Sequence, residues 1–411
     1  MSEWKEVRLD SLVNRKICYG IVQPGISPES GIPVIKVNNI VKGLRDVSEC
    51  DKTTEEINGQ YKRTILKGGE LVISLVGTVG YVDIVPLSFA GANLVRATGM
   101  IDIEDELIKR WVLYYIRTKQ GQQYIEEHLN TTVQRALNIK DLCEMPIPIT
   151  QRSYMEKVVS ILSSLDDKIA VNKKICENLE AQAQALFKHW FVDFAPFKNG
   201  KFVESELGLI PEGWRVGRLE EMASIVGSGG TPKSSVKEYY IGDILWYGTG
   251  EFNDSFIYDS EKHISQEAID NSSAKIFPIH TVLIAMYGAT VGKLAILSNE
   301  ASFNQAALGI VAADSIGYPF IYLTLLACRK QLIRLACGAA QQNLNAGTIK
   351  SHITIIPNDN AMMLFNDLIL PIFEKVEGLQ KESLRLATLR DTLLPKLMSG
   401  QIKVNEIEKS L

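Results

Sequence analysis

The chain has 411 residues, 46% of them hydrophobic and 22% charged, enough for two or three domains that each bury their own core. No apolar run approaches the roughly 18 residues of a membrane span, and the opening Met1-Ser-Glu-Trp-Lys-Glu6 lacks the apolar core of a secretion signal. The formal charge of −4 weighs against nucleic acid, whose phosphates need local Lys and Arg, without excluding a basic groove balanced by acidic faces elsewhere.

Residues 1–190 recur, in altered wording, as residues 210–397. Trp4-x-x-Val-Arg-Leu9 returns as Trp214-Arg-Val-Gly-Arg-Leu219. In the first copy, 32–40, 70–75 and 80–85 read as strands, and 105–129 reads as a helix carrying Leu107, Trp111, Tyr114, Ile116 and Tyr124. The run Leu71-Val-Ile-Ser-Leu-Val-Gly-Thr-Val-Gly80 returns as Val282-Leu-Ile-Ala-Met-Tyr-Gly-Ala-Thr-Val-Gly292, one residue longer. Asn93 pairs in this alignment with Asn304, and Leu137-Asn138-Ile-Lys140 with Leu344-Asn345. In the second copy, 241–247, 281–287 and 293–297 read as strands and 318–335 as the matching helix. Each copy is therefore a mixed α/β unit.

After Ile149 the period changes. Val158, Leu162, Leu165, Ile169, Asn172, Cys176, Leu179, Ala183, Leu186 and Trp190 follow a 4-3-4-3 spacing, a heptad seam in which a polar Asn172 can fix register. Phe365, Ile369, Ile372, Val376, Leu379, Ser383, Leu386, Arg390, Leu393 and Leu397 form the second seam, interrupted by Ser383 and Arg390. Pro371 is expected to start or kink that helix. Two seams in one chain most simply pack on each other. About 35 helical residues span roughly 50 Å, on the order of 15 base pairs of duplex. The expected division is 1–150 and 213–357 for the globular units, 151–195 and 358–400 for the helices, 196–212 for a linker and 401–411 for a tail.

The chemistry-bearing motifs are mostly negative. Six cysteines form no CxxC pair and no metal spacing with the five histidines; free thiols in a reducing cytoplasm are the expectation. Gly288-Ala-Thr-Val-Gly292-Lys293 is one residue short of a Walker loop and has Leu294 where Ser or Thr should hold magnesium. It reads as a turn, either plain or carrying a DNA phosphate contact. There is no Pro-Pro anywhere, hence no Asn/Asp-Pro-Pro-Tyr/Phe motif, and Gly248-Thr-Gly250 runs into Glu251 without a clear helix. Gly227-Ser-Gly-Gly-Thr-Pro-Lys-Ser-Ser235 is a flexible donor-rich stretch. Gln341-Gln-Asn-Leu-Asn345 concentrates carboxamides able to pair with adenine edges, with Thr131-Thr-Val-Gln-Arg135 as its counterpart.

Leu179-Glu-Ala-Gln-Ala-Gln-Ala-Leu-Phe-Lys-His-Trp-Phe-Val-Asp-Phe194 resembles the central conserved region of the specificity subunits of Type I restriction–modification enzymes. Glu204-Ser-Glu-Leu-Gly-Leu-Ile-Pro-Glu-Gly-Trp214 resembles that family's entry into its second recognition domain, and Leu389-Arg-Asp-Thr-Leu-Leu-Pro-Lys-Leu-Met-Ser-Gly400 its distal conserved region. Gly229-Gly-Thr-Pro232 with Lys233 resembles a frequent opening of a recognition domain. The resemblance implies mixed α+β recognition domains in tandem duplication, with the two long helices forming an antiparallel coiled coil. It implies that each domain reads one half of a bipartite double-stranded DNA target while the helices set the spacer. Modification subunits, two of them, would bring S-adenosylmethionine and adenine methylation. Restriction subunits would bring ATP and Mg, leaving this chain no cofactor and no catalytic centre of its own. The competing readings are a coiled-coil protein adaptor and a stand-alone DNA methyltransferase or nuclease.

The two domains should read different half-sites, so features shared by both copies cannot by themselves set sequence. Gly77, Thr78, Gly80 and Asn93, with Gly288, Thr290, Gly292, Lys293 and Asn304, are expected in framework or phosphate contact, together with Asn138, Asn345 and Thr231. Base reading is expected from unshared residues: Gln134, Arg135, Lys233, Gln341, Gln342 and Asn343. Phe187, Trp190, Phe191 and Phe194, with Leu393, Leu394 and Leu397, present more apolar surface than one helix pair needs, and are expected to dock modification subunits, the alternative being burial against the adjoining recognition domain.

Overall fold

The computed structural model describes residues 4–130, 134–336 and 343–402. The chain divides into two compact units, one of residues up to 167 together with those from 386 onward, the other of residues 168–385.

The first unit is built on an antiparallel four-stranded sheet in the spatial order Arg15–Tyr19, Thr98–Asp102, Leu71–Ser74, Val82–Ile84. Successive residues of its central strand face opposite sides, as the pleat requires. Leu71 and Ile73 join Ile101, Trp111 and Tyr114 in one core, and Val72 joins Met100, Ile35, Phe89 and Leu94 in another. With both faces covered, the strand is apolar at nearly every position, which is why the sequence shows a run rather than an alternation. A three-stranded ribbon, Asp51–Thr53, Ile32–Ile35 and Asn93–Leu94, carries the second core. Lys5–Arg8 pairs with Pro146–Ile149, which ties the two ends of the globular part together.

The second unit repeats this plan. Ala223–Ser228, Ala307–Ala312, Val282–Ala285 and Leu294–Leu297 form the sheet, extended by a parallel fifth strand, Phe256–Ile257. Lys262–Ile264, Ile244–Tyr247 and Ser302–Phe303 form the ribbon, and Arg215–Arg218 pairs with Ile353–Ile356. Val282 and Ile284 face one core while Leu283 and Ala285 face the other.

Three local expectations change. The strand expected over 32–40 stops at Ile35, because Asn39 Oδ1 accepts the Lys36 N–H (2.8 Å) and opens a short helix, Val37–Lys42. The helix expected over 105–129 is two, Glu106–Arg117 and Lys119–Glu127. Thr118 separates them: its hydroxyl donates to Tyr115 O (2.7 Å) and accepts the Gly121 N–H (3.0 Å). Pro371 does not start the distal helix, which runs unbroken from Asp359 to Met398 behind Asn358, whose Oδ1 accepts the Ala361 N–H (2.9 Å). Buried Phe365, Ile369, Phe373 and Val376 hold the backbone helical on either side of the proline.

The central helix, Arg152–Phe191, packs antiparallel to the distal one. Within the first unit, Tyr154 Oη donates to Leu397 O (2.8 Å) and Arg390 Nη1 to Asp166 Oδ1 (2.6 Å). Within the second, Asn172 Nδ2 donates to Glu382 Oε2 (2.7 Å) and Ser383 Oγ (3.3 Å), and Cys176 lies against Val376 O. The polar residues that interrupt the second seam are thus answered by polar residues of the first. Asp166 also accepts the Tyr114 hydroxyl (2.9 Å). Burial, then the Asp166 charge, push that phenol well above its ordinary range. Burial works against the Arg390 charge, but the Asp166 carboxylate outweighs it and raises the guanidinium pKa.

Asp166→Ala takes the cross-helix carboxylate from Arg390, leaving it only the exposed Asp391, and the acceptor from Tyr114. The expected cost is about 1.5–3 kcal/mol, measured as a lowered urea midpoint, and pairing it with Arg390→Met should recover part of the loss because no half-buried guanidinium then lacks its cross-helix carboxylate.

Candidate nucleic-acid interface

Both units bring the same segments to one end of the sheet. In the first, the central strand runs on past Ser74. The Leu75 N–H donates to Ala97 O (2.8 Å) on one side, and Leu75 O accepts the Leu137 N–H (2.9 Å) on the other. Val76 then bridges Ala136, and the Gly77 N–H donates to Arg135 O (2.9 Å). In the second, the Met286 N–H donates to Ala306 O (2.8 Å), Met286 O accepts the Leu344 N–H (2.8 Å), and Tyr287 bridges Asn343. The glycine loop and the carboxamide loop, distant in sequence, are therefore edge-to-edge neighbours twice over.

The glycines serve the turn. Gly77, Gly80, Gly288 and Gly292 all have positive φ, which side-chain-bearing residues rarely adopt. Gly80 and Gly292 are buried, and a Cβ on Gly292 would lie 2.9 Å from Ile333. Thr78, Gly288 and Lys293 are exposed, while half-buried Thr290 donates its hydroxyl to Tyr287 O (3.3 Å).

Asn138 and Asn345 occupy the same structural position, the N-cap of a short helix. Asn345 Oδ1 accepts the Thr348 N–H (2.8 Å), and Asn138 Nδ2 donates to Asp141 (3.3 Å). Gln134 and Arg135 are exposed, with Arg135 ion-paired to Glu126. Asn343 is exposed beside Tyr287; Gln341 and Gln342, like residues 131–133, lie outside the described residues. The Gly229-Gly230 stretch is held closely rather than free: added Cβ atoms would lie 2.2 Å from Phe303 O and 2.3 Å from Ser273 C. Thr231 beyond it is hydrogen-bonded to Gln305, and Lys233 is exposed.

Two expectations are narrowed or overturned. Asn93, expected in framework or phosphate contact, is fully buried, with Nδ2 donating to Asn58 Oδ1 (2.7 Å) and Tyr61 O (3.2 Å), so it is framework and not a phosphate contact. Strand register makes its counterpart Ser302, also buried, rather than the half-buried Asn304. The aromatic group expected at a subunit interface is core. Phe187, Trp190 and Phe191 are buried and Phe194 partly so. Phe191 packs edge-on to Phe320 (4.8 Å between centroids) and Phe365 (4.7 Å), and Phe194 lies 5.7 Å from Trp214. Leu394 and Leu397 are likewise buried in the first unit, with Leu393 packed against them. Heptad reasoning sees one helix partner; it does not see the recognition-domain helix Tyr318–Ala336 that covers this face in the second unit.

Sequence reasoning missed Arg96, Tyr287 and Gln305, all exposed at this end of the sheet. Tyr287 follows buried Met286, while Arg96 and Gln305 are the second residues of matching β-turns, 95–98 and 304–307. Among the described residues, no group of three or more His, Cys, Asp or Glu side chains could hold a metal ion, and no helix is long and apolar enough to cross a membrane.

A duplicated β framework that presents polar loops at one end of each copy, with two long helices packed together, defines a tandem recognition protein. The model of the Type I restriction modification DNA specificity domain matches residues 1–181 and 211–385, and the chain belongs to that family, with two tandem target-recognition domains. It is 27% identical to the Type I restriction enzyme MjaIX specificity subunit of Methanocaldococcus jannaschii, over 90% of this chain and 84% of that one. It is 24% identical to the HindI specificity subunit of Haemophilus influenzae, over 98% and 100%. The fold matches the crystal structure of the S subunit from M. genitalium with a TM-score of 0.56, at 17% identity and 96% coverage of both chains.

Phe191→Ala is expected to cost about 3–5 kcal/mol through the cavity it leaves, and Phe191→Asp to abolish folding of the second unit in the isolated chain. Chemical denaturation of the purified protein, without any partner, checks both.

Proposed function

We propose that each unit reads one half of a bipartite double-stranded DNA target through the loops at the end of its sheet, and that the long helices set the spacer between the halves. The observation that carries this reading is the duplicated loop pairing. One framework is used twice, with identical backbone bonds at Leu75 and Met286 and different outward side chains around them. In this reading the chain is a non-catalytic cytoplasmic subunit. Two modification subunits supply S-adenosylmethionine and methylate adenine, and restriction subunits add ATP- and Mg-dependent cleavage. Mapping methylated adenines in source-cell DNA, with and without this chain, tests it. The expected result is a split motif that disappears with the chain. Absence of any motif, and of DNA binding when modification subunits are present, would favour the protein-adaptor reading.

With the Phe187–Phe194 group buried, docking falls to apolar residues that stay exposed on the helices. Val171 and Ile175 are 50% and 38% exposed and lie one turn apart on one face of the central helix. Val171→Asp with Ile175→Asp is expected to leave the isolated chain folded, with an unchanged melting temperature, and to reduce co-purification with the modification subunit at least tenfold.

A further inference from the structure

We infer that Arg96 and Gln305 are equivalent base-reading positions, Arg96 for a guanine in one half-site and Gln305 for an adenine in the other. The inference rests on the loop ends of the two sheets being the DNA-contacting faces.

Strand register makes the two residues equivalent. Thr98 opposes Ser74 and Ala307 opposes Ala285 in the paired strands. Each of these strands is entered through a β-turn, residues 95–98 in one unit and 304–307 in the other, closed by the Thr98 N–H to Val95 O (2.9 Å) and the Ala307 N–H to Asn304 O (3.2 Å). Arg96 and Gln305 are the second residues of these turns. The Leu75 N–H donates to Ala97 O and the Met286 N–H to Ala306 O, so each turn is tied to the central strand at the same point. On the far side, Val76 bridges Ala136 and Tyr287 bridges Asn343.

The turns leave the Arg96 and Gln305 side chains outward. Beside them lie buried Leu75 and Leu137, with half-buried Ala97, and buried Met286 and Leu344, with half-buried Ala306. Arg96 and Gln305 at the turn corners, and Tyr287 and Asn343 beside them, are exposed. The turn is fixed in the framework and its second residue differs in chemistry between the copies, as two readers of different half-sites require.

The side chains suit the task. Arg96 makes no side-chain hydrogen bond or ion pair among the described residues, whereas Arg135 nearby is held by Glu126. A free guanidinium on a turn anchored to the sheet can present two parallel donors to guanine O6 and N7. Gln305 is oriented by the Thr231 hydroxyl, bonded to its Oε1. That leaves the amide N–H groups and the second lone pair of Oε1 for the N7 and N6 of adenine. Thr231 is a positioning residue.

The test uses the complex of the full chain with its modification subunits. The motif methylated by the wild-type complex is mapped first, and binding is then measured on duplexes changed one base pair at a time. Arg96→Gln and Arg96→Lys are expected to lose about tenfold to a hundredfold discrimination at a single G·C pair of one half-site. Arg96→Lys retains charge but not the bidentate fork. Gln305→Ala should do the same at an A·T pair of the other half-site only. Equal weakening on cognate and scrambled duplexes, rescued by Lys at position 96, would make Arg96 a phosphate contact and overturn the inference, as would unchanged discrimination in either variant. If the wild-type complex itself shows no split motif, the DNA-reading assignment of the faces fails first, and a wild-type motif untouched by these variants isolates the failure to positions 96 and 305.

Discussion

The central strand of each unit, Leu71–Ser74 and Val282–Ala285, is the constraint on which the recognition face depends. Its residues are buried on both sides, so a slip of one residue would exchange two cores at once. Register this strongly fixed extends beyond the last regular strand residue. Leu75 and Met286 still bond to neighbours on both sides, and each brings a loop from another part of the chain alongside the glycine turn. The polar residues at that end are placed by backbone pairing and by buried leucines. Their own side chains are left to vary, which is what a scaffold that serves different half-sites needs.

The helix pair solves a different problem. An apolar seam alone tolerates sliding by a heptad, because one leucine contact resembles the next. Asn172 against Glu382 and Ser383, and Asp166 against Arg390, break that equivalence. A slide would leave a buried carboxamide or a half-buried guanidinium without its partner, at a cost of the order of 1–3 kcal/mol each. The interruptions in the seam are thus the residues that specify its alignment.

Glycine content at the face has the same logic. Positive φ at Gly77, Gly80, Gly288 and Gly292 lets the chain reverse within a few residues of the sheet. Buried Gly292 also lets the turn sit against Ile333 of the neighbouring helix. The loops are consequently short and closely held, and the flexible polar stretch expected around Gly229 is instead fixed by close backbone contacts on both sides.

Local pattern carried the duplication, the mixed α/β character of each copy, both heptad seams and the polar residues Asn172, Ser383 and Arg390 within them, but not the partners Asp166 and Glu382 that answer them. These are properties of local residue pattern: short β-rich runs between turn residues, a period of three and a half for the helices, and glycine at the turns. Tertiary structure decided what spacing cannot encode. Whether Phe191 is surface or core depends on Phe320, which arrives from more than a hundred residues away. Whether Asn93 matches Asn304 or Ser302 depends on strand register, since the segment after the glycine loop is shorter in the second copy, Gly292 to Ser302 against Gly80 to Asn93, which shifts the linear alignment but leaves the ladder intact. The exposure of Arg96 and Gln305 likewise follows from the β-turns that hold them, and those turns are tied by Ala97 and Ala306 to a central strand that the linear sequence does not place beside them.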